Sequence, residues 1–164
     1  MPEPADEAGP AAAASRLLEA LAARGLSLAS AESVTGGRFA GLVTSVPGAS
    51  RSYVGGVVAY TSRLKHELLG VDADLLARHG AVNEAVARAM AEGARRRLGA
   101  SVAVACTGVA GPDPSDGAPV GTVFLALALA GSTRAVELSL DGDRRAIREA
   151  TVAAMVDLVA NSLP

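Results

Sequence analysis

Three short β-compatible runs, Leu28 to Ala31, Gly56 to Tyr60 and Val102 to Cys106, alternate with segments whose apolar residues recur at helical spacing. This alternation confines the chain to a few architectures, because strands joined through helices pair in parallel. Two further runs, Val120 to Leu129 and Arg134 to Leu140, are joined only by the short "AGST" and must form an antiparallel hairpin. The expectation is an α/β sandwich built on a mixed, mostly parallel sheet of about five strands.

The helical patterns begin with Leu17, Leu18, Leu21 and Ala22, which stop at "RGLS", where Gly25 terminates the helix. They continue at Phe39, Leu42 and Val43, at Leu64, Leu68 and Leu69, at Leu75 and Leu76, from Val86 through Leu98, and from about Arg145 to Leu163. With 164 residues, half of them hydrophobic but only 2% aromatic, the core has to be made of closely packed small aliphatic side chains. One domain over 15–164 is expected. The opening "MPEPADEAGPAAAA", residues 1–14, reads as a loose, disordered acidic and alanine-rich tail without the basic start and apolar core of a secretory signal.

A net charge of -2 without a basic, aromatic-interleaved stripe argues against nucleic acid and anionic lipid as partners. The longest apolar run, Val120 to Gly131, is too short to cross a bilayer, so no membrane association is expected. Cys106, the only cysteine, leaves no intramolecular disulfide and no thiolate metal cluster. A buried structural thiol in a cytoplasmic protein is the reading.

In open α/β sheets ligands bind beyond the carboxyl ends of the parallel strands. Three polar clusters fall there: "ESVTGG", "AYTSRLK" and "CTGVAGP". Ser33 and Thr35 precede a helical pattern, and either one is a candidate helix cap. A capping box is absent, since Gly36 and Arg38 stand three residues after them. Gly36 and Gly37 suit close approach of backbone N–H groups to an anionic ligand, or tight packing of helix on sheet. If Ser33 is instead a nucleophile it needs a base, and His66 and His79, in charged helical surroundings, have neither an acidic orienter nor metal-ligand spacing. Lys65 is the alternative, five positions after Tyr60; it acts as a base only if burial or a nearby cation lowers its pKa. Both residues also read as ordinary surface positions, so the residues alone leave cap and nucleophile open. Thr107, Gly108 and Gly111 permit close backbone approach to a ligand but match neither a Walker loop nor a dinucleotide fingerprint.

Taken together, "AESVTGG", "VAYTSRLKHELLGV", "HGAVNEAVARAMAEGAR", "TGVAGPD", "PVGTVFLAL" and "GDRRAIREATV" resemble, in order, the CinA carboxy-terminal domain family. The resemblance implies a three-layer α/β/α fold and, in catalytic members, conversion of nicotinamide mononucleotide and water to nicotinic acid mononucleotide and ammonia. It implies Ser33 as nucleophile with Lys65 and Tyr60 as activating partners, and neither metal nor cofactor. The substrate would be bound by Thr35, Gly36 and Gly37, with N–H groups of the Val34 to Gly37 turn facing the oxyanion. Thr107, Gly108 and Gly111 would line the nucleotide pocket, the loop through Asp113 would close over it, and Arg144 would stand near the phosphate.

Family members often carry a separate amino-terminal domain with pyrophosphatase-type activity, and this chain resembles the stand-alone deamidase form, expected to be a homodimer. The loop continuation "PSDGAPVG" departs from the family pattern. A non-catalytic ligand-binding or interaction module, connected with competence and DNA damage, is the alternative the resemblance allows.

Overall fold

A computed structural model describes residues 9–164. The first helix, α1, spans Pro10–Ala23 and is followed by β1 (Leu28–Glu32), α2 (Arg38–Thr44), a 3-10 turn at Ala49–Arg51 and β2 (Tyr53–Val58). Then come α3 (Ser62–Leu69), α4 (Ala73–His79), α5 (Glu84–Leu98), β3 (Val102–Gly108), β4 (Thr122–Leu129), β5 (Ser132–Ser139) and α6 (Arg144–Ala160). The five strands form one sheet in the order β2-β1-β3-β4-β5.

β1 pairs in parallel with β2 and β3, whereas β3–β4 and β4–β5 are antiparallel. The sheet is mixed as expected, with two parallel and two antiparallel pairings, and only β4 runs against the other four strands. The long loop after β3 returns the chain beside β3 without a crossover helix, which makes the β3–β4 pair antiparallel.

Alternation of side-chain size explains the layers. In β3 ("VAVACTG") Val102, Val104 and Cys106 enter one core with α1, α2 and α6, while Ala103 and Ala105 enter the other with α3, α4 and α5. β4 does the same, with Val123, Leu125 and Leu127 in the first core and Ala126 and Ala128 in the second. Successive residues of a strand point to opposite faces, so the alanines let α5 lie close to the sheet. α5 also meets α3 closely at Gly93, where a Cβ would stand 1.9 Å from the Leu69 carbonyl oxygen at the end of α3.

Most strand ends shift by one or two residues, and two elements, α1 and β2, differ further from expectation. Of the expected 1–14 tail, residues 1–8 lie outside the described residues, but residues 10–14 are the first turns of α1, with Ala14 fully buried. Pro10 suits the first helical position and the alanines that follow have the strongest helix propensity, so this segment folds rather than hanging loose. β2 begins at Tyr53 and ends at Val58 instead of spanning Gly56 to Tyr60. Tyr53 is anchored by a 2.6 Å hydrogen bond with Ser30 of β1, and Gly56 is obligatory beside it, since a Cβ there would sit 2.3 Å from the Ser30 Oγ. Among the described residues no helix is long and apolar enough to cross a membrane.

Candidate active site

β1 lies between two parallel neighbours reached from opposite faces of the sheet, the arrangement that opens a crevice at the carboxyl strand ends. The ends of β1, β2 and β3 meet there around a cavity of about 230 Å3. Ser33, Lys65, Thr107, Gly108, Gly111, Arg144 and Tyr60 all line it.

Lys65 is the least expected feature of this crevice, because it is only 1% exposed. The α3 start is set by Thr61, whose hydroxyl caps the helix by accepting from the Leu64 N–H at 3.3 Å. A side chain in the first turn leans toward the helix N-terminus, which carries the Lys65 ammonium back over the sheet edge. There Nζ is 2.7 Å from Ser33 Oγ, 2.9 Å from the Ala59 carbonyl and 3.1 Å from the Tyr60 carbonyl. Burial lowers the Lys65 pKa to about 8, against an opposing pull from the Asp116 carboxylate. A neutral amine keeps two N–H donors and one lone pair. The two carbonyls take the donors, so the lone pair is left facing the Ser33 hydroxyl, the geometry of a serine with its base.

Ser33 follows a buried carboxylate that sequence reasoning missed. Glu32 Oε1 accepts from the Phe39 N–H at 2.8 Å and Oε2 from the Ala40 N–H at 3.1 Å, which makes Glu32 the acceptor for the first turn of α2. Neither Ser33 nor Thr35 is the cap. Thr35 turns inward, its hydroxyl donating to Glu32 at 2.7 Å and lying 3.1 Å from Cys106 Sγ, so it does not line the cavity. Gly36 and Gly37 do not line it either. Their positive φ values of 58° and 98° turn the chain into α2, and the Gly36 N–H donates to the Ser33 carbonyl at 3.1 Å. Within the Val34 to Gly37 turn, Val34 alone reaches the cavity wall. The turn is also held from outside: Arg148 of α6 donates from Nε to the Val34 carbonyl at 3.0 Å and from Nη2 to the Thr35 carbonyl at 3.1 Å.

Tyr60 is near Lys65, but through its carbonyl. Tyr60 is 57% exposed and its phenol accepts from Arg144 Nη2 at 3.1 Å, while only its carbonyl accepts from the Lys65 amine. The Asp143 carboxylate caps α6 and sets Arg144 at its first position, from where Nη1 also donates to the Gly111 carbonyl at 2.7 Å. Thr107 lines the cavity while its hydroxyl donates to the Ala81 carbonyl at 2.7 Å.

The loop that departs from the family pattern contains a second missed residue. Asp116 (φ 51°) and Gly117 (φ 72°) form a two-residue hairpin turn closed by the Ser115–Ala118 bridge, and Asp116 Oδ2 reaches across to accept from the Ala81 N–H at 3.0 Å. Asp-Gly is the strongest short hairpin signal, so "SDGA" was the clue. Glu32 had a weaker one, a carboxylate ending an apolar strand, which must be met by buried donors.

Cys106 is buried, as expected, and burial raises its thiol pKa. His66 is spent on the Val71 carbonyl at 2.8 Å. Among the described residues no group of three or more His, Cys, Asp or Glu is placed to hold a metal ion.

The family model described as the CinA C-terminal domain matches residues 11–163. A CinA-like protein of Frankia casuarinae is 48% identical over 147 residues, covering 90% of this chain and 34% of its own length. A CinA-like protein of Anaeromyxobacter sp. (strain Fw109-5) is 52% identical over 144 residues, 87% of this chain and 35% of its own. The chain thus spans about a third of the length of these relatives. Among solved structures, a competence-damaged protein (CinA) superfamily protein from Escherichia coli superposes with TM-score 0.92 at 33% identity over 98% of this chain and 94% of that one. The competence/damage inducible protein CihA from Agrobacterium tumefaciens gives 0.89 at 37% identity over 93% and 94%. With its model matched over almost the whole sequence, the chain belongs to the CinA C-terminal domain family.

Proposed function

We propose that the protein is an amidohydrolase that converts nicotinamide mononucleotide and water to nicotinic acid mononucleotide and ammonia through a Ser33 acyl-enzyme. The observation that carries this reading is the 2.7 Å contact between the buried Lys65 amine and the Ser33 hydroxyl. Neutral Lys65 takes the Ser33 proton as Oγ bonds to the amide carbon. The C–N bond then breaks, the proton goes to the departing nitrogen, and ammonia leaves a Ser33 ester. Water attacks that ester, Lys65 accepts its proton, and proton return to Ser33 Oγ releases the carboxylic acid.

The Val34 N–H, from the one residue of the turn on the cavity wall, is the oxyanion donor in this scheme. Arg144 supplies the cation for the phosphate, with the exposed Tyr60 phenol orienting it. This is a role in binding rather than in proton transfer. The reading includes a homodimer, which sedimentation of the purified protein tests.

Ammonia release from nicotinamide mononucleotide, with the acid product identified by chromatography, is the direct assay. Ser33→Ala and Lys65→Ala should each lower turnover by at least about a thousandfold. Full activity in either variant, or no turnover by the wild type, defeats the proposal.

A further inference from the structure

The hydrogen bonds around Ser33 point to a residue outside the cavity. We infer that Arg148 is a positioning residue for the Ser33 nucleophile, holding the backbone turn that aims its hydroxyl. The inference rests on the proposed role of Ser33.

The turn needs such support because it contains two consecutive residues in the left-handed region, Gly36 and Gly37, where glycine backbone is least restrained. Glu32 fixes it from beneath through Thr35 and the first N–H groups of α2. The guanidinium of Arg148 is an anchor from the opposite element, α6. It bridges the carbonyls of Val34 and Thr35, so it grips the second and third peptide units after the nucleophile, Val34–Thr35 and Thr35–Gly36. Gly36 leaves room for it, since a Cβ there would stand 3.1 Å from the Arg148 Nη2. A lysine carries one compact donor group and cannot reproduce this planar, two-carbonyl contact. Arg148 also lies one helical turn after Arg144, so one face of α6 contributes both the cation at the cavity wall and the clamp behind Ser33.

A misplacement of about 1 Å at a reacting group costs on the order of a hundredfold in rate. The test compares wild type, Arg148→Lys and Arg148→Met by two measurements: steady-state ammonia release, and the rate at which a fluorophosphonate forms a bond to Ser33 Oγ with loss of fluoride. Circular dichroism at the assay temperature establishes that each variant is folded. The expected result for Arg148→Met is a fall in kcat of about 10- to 100-fold with KM changed less than about twofold and a parallel fall in labelling. Arg148→Lys should lie between, and it decides the matter alone if Arg148→Met does not fold.

Unchanged kcat and labelling in the folded variants overturns the inference. A rise in KM with kcat preserved also overturns it, by making Arg148 a substrate-binding group. Wild type that labels at Ser33 but releases no ammonia defeats the amidohydrolase reading alone, and the labelling comparison then decides Arg148. Wild type that does neither overturns both.

Discussion

In the proposed mechanism the Lys65 amine is the base, and its burial carries a desolvation cost at the same atom. Folding takes it from an ordinary pKa of 10.5 to about 8, so between these values the unfolded chain binds more protons than the folded one. Stability contributed by this group therefore rises with pH from about 8 to 10.5 and is lost again as pH falls to 8. Burial raises the Cys106 and Tyr53 pKa values, which acts in the opposite direction over the same range, so urea unfolding should show stability rising less, or falling more, with pH in Lys65→Met than in the wild type. The same depressed pKa governs catalysis in the proposed mechanism, because only the neutral amine is a base. A pH profile of kcat/KM should climb with increasing pH and level off above about 8. A profile flat from pH 6 to 9 would remove Lys65 from the base role.

At the scale of elements, the site depends on how closely helices approach strands and one another. Replacing a mid-helix glycine by alanine ordinarily stabilises a helix by up to about 1 kcal/mol. At Gly93 the sign reverses, because the new Cβ would meet the backbone carbonyl of Leu69, which no rotamer change relieves. Gly93→Ala should cost about 1–3 kcal/mol in urea unfolding. It should also lower kcat, since Leu69 belongs to the short helix that carries Lys65.

The start of α2 gives a second test of the same kind. Glu32→Ala strips the acceptor from two backbone N–H groups and the Thr35 hydroxyl, and should destabilise the protein by at least about 2 kcal/mol.

Across the whole molecule, the cavity is closed by pieces far apart in sequence. The Asp116 carboxylate ties the loop between β3 and β4 to the connection between α4 and α5, and Gly80 makes room for it, as a Cβ there would come within 2.9 Å of the Asp116 Cβ. Asp116→Ala should loosen that loop and, in the proposed reaction, raise KM for nicotinamide mononucleotide more than it lowers kcat. Equal loss in both parameters would mean that the loop instead supports the reacting groups.

Much of this architecture was legible in the chain itself. Strand and helix periods, the Val–Ala alternation of "VAVAC" and the "AGST" connection determine two-sided burial, parallel pairing of the first strands and a terminal hairpin, because side-chain direction is a local consequence of backbone period. The ordered motifs determine the family and mark Ser33 and Lys65. What only the tertiary structure decided is how those residues meet. That α2 is capped by Glu32, that Tyr60 meets Lys65 through its carbonyl while its phenol turns to Arg144, and that Arg148 grips carbonyls 113 and 114 residues away are contacts between separate elements. Local propensity carries no information about which elements the fold will bring within 3 Å of one another; packing of the two cores against the sheet does.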